Sequence, residues 1–65
     1  MTEELVRAFN DGCDARLRGE KPRDNPHECE SRAHAHWSNG WWDVQEHWGD
    51  LVRGRWSVRP LPAVL

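Results

Sequence analysis

An all-α fold built on a two-helix hairpin is what the sequence predicts, and three observations carry that expectation. Apolar and small residues recur at three- and four-residue steps along two stretches, each stretch opens on a residue able to cap a helix, and a polar Gly- and Pro-bearing turn lies between them. The predicted helices cover about residues 3–18 and 26–48, and the remainder reads as an extended or β-strand arm. The chain therefore divides into a helical hairpin, 1–50, and a C-terminal arm, 51–65.

The first helix opens on Thr2, whose hydroxyl suits an N-cap, followed by Glu3 and Glu4 where the helix dipole favours negative charge. Its apolar face is short: Leu5, Phe9, Gly12 or Cys13, and Leu17, with Gly12, Ala15 and Gly19 as small residues that let another helix come close. Gly19 is a suitable stop in the left-handed conformation, and Glu20, Lys21, Pro22, Arg23 and Asp24 form a polar turn. The second start signal is Asn25 as cap, Pro26 at the first helical position and Glu28 returning a bond to the cap. From there Cys29, Ala33, Trp37, Gly40, Trp41, Val44, Trp48 and Leu51 trace one continuous helical face, with Gly49 as the expected stop. Beyond it the period changes to two: Val52, Gly54, Trp56 and Val58 alternate with Arg53, Arg55, Ser57 and Arg59. Pro60 and Pro62 end any regular structure there.

Composition narrows the function classes. The 65 residues carry 9 Lys+Arg against 11 Asp+Glu, a net charge of −2, with five tryptophans and no tyrosine. A domain of this size buries only about 60% of its unfolded surface, so a staple, a second copy or a partner is expected to complete its core, and an enclosed active site of ordinary size does not fit. The expected class is a non-enzyme without cofactor, and a homo-oligomer. The acidic start, MTEELVRAF, is unlike a secretion signal and no long apolar run exists, so no membrane contact and a cytoplasmic location are expected. In that compartment Cys13 and Cys29 are expected as thiols. Charge is unevenly divided: residues 1–50 hold 6 basic and 11 acidic groups, net −5, whereas residues 51–65 hold Arg53, Arg55 and Arg59 and no acid. A second basic excess, Arg16, Arg18, Lys21 and Arg23 against Glu20, lies around the turn.

The series Gly12-x-x-Ala15-x-x-x-Gly19, then Asn25-Pro26, then Trp37-x-x-Gly40-Trp41, resembles the ribosome modulation factor family, which includes small phage and prophage proteins and one proposed to confer ciprofloxacin resistance. The resemblance covers roughly residues 9–48. It implies a two-helix, all-α core and, from the bacterial namesake, binding to the small ribosomal subunit with formation of inactive ribosome dimers. The namesake is strongly basic, whereas this chain is net negative and carries Glu28, Glu30, Asp43 and Glu46 on its second helix. The arm after Asp50 is an addition to the family pattern.

Two sets of binding residues follow. Trp42 lies roughly 100° round the helix from Trp41, off the buried stripe, and Trp56 lies on the arm, so both suit partner contact, together with Arg53, Arg55 and Arg59 projecting from a strand. That set fits a host protein, which the chain would bind and modulate or inhibit. The alternative set, Arg16, Arg18, Lys21 and Arg23, fits ribosomal RNA and a hibernation-type role. His27, Cys29, His34 and His36 are close in sequence, but residues two apart on a helix point about 200° away from each other, so no metal site is expected. A Cys–His nucleophile finds no accompanying acid or oxyanion arrangement.

Overall fold

The computed structural model describes residues 2–62. Helix α1 spans Glu3–Leu17, a single 3-10 turn spans Pro22–Asp24, α2 spans Arg32–Glu46, and the short α3 spans Trp48–Val52. The two long helices pack on each other in a flat body of 33 × 30 × 15 Å. No helix among the described residues is long and apolar enough to cross a membrane.

Helix α1 begins as its sequence dictates, with the Leu5 N–H donating to the Thr2 hydroxyl at 3.3 Å. It ends in a Schellman motif: the Gly19 N–H donates to Arg16 O at 3.1 Å and the Glu20 N–H to Ala15 O at 2.9 Å, with Gly19 at φ +83°. The same motif closes α3, where Gly54 at φ +74° donates to Leu51 O and Arg55 to Asp50 O.

Helix α2 starts at Arg32, six residues later than the Asn25-Pro26 signal predicts. Asn25 has a different task. Its Oδ1 accepts from the His27 N–H at 3.0 Å, and its Nδ2 donates to His34 O at 3.0 Å and to the Ser38 hydroxyl at 3.2 Å, so the amide fastens the connecting loop onto the side of α2. Ser31 is the actual cap, accepting from the His34 N–H at 3.1 Å while its own N–H and hydroxyl are held by Glu28 O. Cys29 consequently lies exposed before the helix and leaves the buried stripe, which begins at Ala33.

At its other end α2 stops at Glu46 rather than continuing through residue 48. His47, at φ −98° and ψ 10°, caps α2 with its N–H still on Asp43 O at 3.3 Å, Gly49 lies inside α3 instead of ending the helix, and Gly54 supplies the stop. No strand forms among the described residues, so the expected β-strand over the arm is absent there. The period-two pattern has no ladder partner, and its first residue, Val52, is drawn into α3 by the Gly54 cap. The arm beyond Arg55 has no regular structure and returns to α1, where Asn10 clasps Leu61 in both directions: Nδ2 donates to Leu61 O at 2.9 Å and Oδ1 accepts its N–H at 2.8 Å.

Ala8, Ala15, Ala33, Trp37 and Trp41 form the buried cluster, with Leu5 packed against it, and Val6, Cys13 and Val44 are also buried. Large indoles face small residues, and two glycines set the helix spacing. A Cβ on Gly12 would collide with the Trp37 carbonyl oxygen, and one on Gly40 would collide with the Phe9 carbonyl oxygen, so each helix rests its backbone on the other. The Cys13 thiol donates to Gly40 O at 3.4 Å across the same contact. Leu17, assigned to the apolar stripe of α1, is instead exposed.

Candidate functional site

The basic residues around the first turn have separate fates. Arg16 is half-buried and built into the fold: its Nε donates to Gln45 Oε1 at 2.6 Å and its guanidinium lies 3.7 Å from the centroid of the Trp48 ring and 5.7 Å from that of Trp41. A guanidinium held over an indole gains from the ring quadrupole and from its own weak hydration, so Arg16 ties α1 to the α2–α3 corner. Arg18 pairs with Glu20, Nε to Oε2 at 2.6 Å. Lys21 and Arg23 are exposed and have no ion pair among the described residues, while the Lys21 backbone N–H donates to Asp24 Oδ2 at 2.8 Å.

Trp41 connects this turn to α2, its buried indole N–H donating to Glu20 O at 2.9 Å. Trp42 stands edge-on to Trp41, ring centroids 4.7 Å apart at 71°, and is 50% exposed. Together with Arg16, Gly19, Glu20, Lys21 and Gln45, the two indoles line an open groove of about 350 Å³. The fold thus joins one residue of the expected protein-binding set, Trp42, to two of the expected nucleic-acid set, Arg16 and Lys21.

The rest of the protein-binding set lies elsewhere. Trp56 is half-buried and stacks flat on His47, 4.5 Å between centroids and 7° between planes, so it packs within the chain. His47 is itself fixed, its Nδ1 meeting Asp43 O at 2.8 Å. Arg53, Arg55 and Arg59 are exposed, but with no strand there they form no alternating row. Arg55 and Arg59 border, with Leu51 and Trp56, a second open cavity of about 690 Å³ that shares no residue with the first.

Gln45, His47 and Asn10 carry no motif in the sequence. Only the Asp43–His47 spacing of four, with the side chains 3.7 Å apart, is a signal open to sequence reasoning. Burial pushes the Cys13 thiol up to about 11, with Asp43 and Asp14 adding to the effect, so it is a protonated core side chain at neutral pH. Cys29 is a free, exposed thiol. Among the described residues no three His, Cys, Asp or Glu side chains converge where they could hold a metal ion.

No curated protein and no solved structure gives a significant match to the chain. A family model described as Ribosome modulation factor does match, over residues 2–48. That span runs from the N-cap of α1 to the first residue of α3 and takes in the glycine contact, the basic turn and the Trp41–Trp42 groove: the chain belongs to the ribosome modulation factor family.

Proposed function

We propose that this protein is a non-catalytic, cytoplasmic factor that acts by binding the ribosome. The observation that carries the proposal is the extent of the family match, which takes in the whole of the two long helices rather than one motif. Two features of the site support it. The exposed cations Lys21 and Arg23 stand on the turn that the family span includes, and Trp42 offers an aromatic face beside Lys21.

A host protein as partner is the second reading, favoured by the net charge of −2 and by the half-exposed Trp42. It weighs less than the ribosome because the Trp56 indole is engaged by His47 and the arginines of the arm are dispersed. Self-association is part of the proposal in either form, supported by the small core that a chain of 65 residues can bury by itself.

Affinity capture of the tagged chain from bacterial lysate, with and without nuclease and at two salt concentrations, tests the choice. Ribosomal RNA and ribosomal proteins recovered together, and lost as salt rises, are the expected result. A single nuclease-resistant protein held at both salt concentrations would overturn the ribosome reading in favour of the second.

A further inference from the structure

We infer that the groove between the C-terminal end of α1 and the middle of α2 takes one nucleotide of single-stranded RNA, its base against the Trp42 indole and its phosphate at Lys21. The inference rests on the ribosome reading and deepens it by naming the component and the contact.

The walls of the groove define the ligand. Trp41 and Trp42 meet at 71°, which makes a corner of two aromatic surfaces, one buried and one half open. The Trp41 N–H already donates to Glu20 O, so the corner recognises an aromatic face more than it offers directional hydrogen bonds, and stacking of this kind tolerates every base. Arg16 is committed to Gln45 and Trp48 and acts as a rigid wall. Lys21 is the cation left available, since it has no ion pair among the described residues. The Glu20 carboxylate, which would repel a phosphate, is paired with Arg18 at 2.6 Å. Gly19 meets no atom within 4 Å of its Cβ position, so nothing crowds the rim.

Charge complementarity selects a polyanion. Residues 16–23 carry Arg16, Arg18, Lys21 and Arg23 against Glu20, on a chain whose net charge is −2. The acidic residues elsewhere disfavour broad coating of a duplex, whereas one base stacked beside one or two cations needs only this local excess. Duplex RNA hides its base faces within the helical stack, so the corner is suited to an unpaired nucleotide.

The test is fluorescence anisotropy of a labelled eight-nucleotide single-stranded RNA of mixed sequence with the full chain. Binding by the wild type is expected, weakened roughly tenfold in Trp42→Ala and largely retained in Trp42→Phe, because stacking needs a ring and not an indole N–H. Lys21→Gln is expected to lower the salt slope by about 0.7, one phosphate on a single strand. Trp42 is off the buried cluster, and unchanged far-UV circular dichroism of Trp42→Ala separates loss of contact from loss of fold. Equal RNA binding by Trp42→Ala and wild type, or no RNA binding by a wild type that still co-sediments with ribosomes, would overturn this inference and leave the ribosome reading standing. Ribosome binding that depends on Trp42 without any binding of the oligonucleotide would place a ribosomal protein in the groove and likewise overturn it. Failure of the wild type to associate with any ribosomal particle would overturn the ribosome reading itself, whatever the oligonucleotide does.

Discussion

At Gly12 the nearest obstacles to a side chain are backbone atoms of Trp37, among them its carbonyl carbon, 2.8 Å from the Cβ position; at Gly40 they belong to Phe9 and Cys13. Backbone inside a helix cannot step aside as a flexible side chain does. Gly12→Ala and Gly40→Ala are therefore each expected to cost about 1–3 kcal/mol or more, read as a drop in the thermal midpoint. Gly49→Ala is the internal contrast, since Gly49 lies within α3 with nothing within 4 Å. It is expected to leave stability unchanged or raise it by up to about 1 kcal/mol through helix propensity. Trp37, 2% exposed, is the largest fully buried side chain, and Trp37→Ala is expected to leave the chain unfolded. A loss of about 3–5 kcal/mol approaches the whole stability of a chain this small. Cys13 gives a pH dependence. Its folded pKa, about 11, lies above the 9.0 of an ordinary thiol, so the folded state holds the proton that the unfolded state releases between those values. The sign follows: stability from this group is intact below pH 9 and falls as pH rises from 9 to 11, by roughly 2–3 kcal/mol in all. Cys13→Ala should lose that slope when denaturant midpoints are compared across the alkaline range.

Between the elements, caps and clasps decide where each one begins and ends. Ser31→Ala is expected to cost about 1 kcal/mol, because it removes the acceptor for the His34 N–H at the start of α2. Had the helix begun at Pro26, Ser31 would be an interior position and the change would be neutral or favourable, so the denaturation midpoint of this variant tests the corrected boundary. The arm depends on Asn10: Asn10→Ala removes both bonds to Leu61, and faster tryptic cleavage after Arg55 is the expected readout, with α1 unaffected. Helix α1 was legible from Thr2 to Gly19 because its cap, its acidic first turn and its glycine stop act within a few residues of each other. The centre of α2 was legible because Trp37, Gly40, Trp41 and Val44 repeat at helical steps. The early start at Asn25 misleads because the same amide that caps a helix also bridges a loop to His34 and Ser38, and nothing local distinguishes the two uses. The alternation from Val52 to Val58 misleads because a strand needs a ladder and the chain provides none among its described residues. Of the site, Trp42 and the basic turn were legible as separate features. Their meeting was not, since it depends on the Trp41–Glu20 bond and on the angle between two indoles.

Seen as a whole, the molecule is a thin body in which the family-matched span, residues 2–48, holds the glycine contact and the basic groove, while the remainder supplies α3 and the returning arm. A body 15 Å thick leaves large apolar side chains on its surface, Leu17, Trp42 and Val52 among them. Static light scattering at micromolar concentration is expected to give a mass above the 7.6 kDa of one chain. A strictly monomeric, cooperatively folding chain would remove self-association from the account. Binding to the ribosome is its central claim, and the most direct test is sucrose-gradient sedimentation of purified bacterial ribosomes with the wild-type chain and with the Lys21→Gln/Arg23→Gln double variant. The wild type is expected to travel with ribosomal particles at low salt and the double variant to remain near the top of the gradient. A wild-type chain that stays at the top under the same conditions would contradict the account.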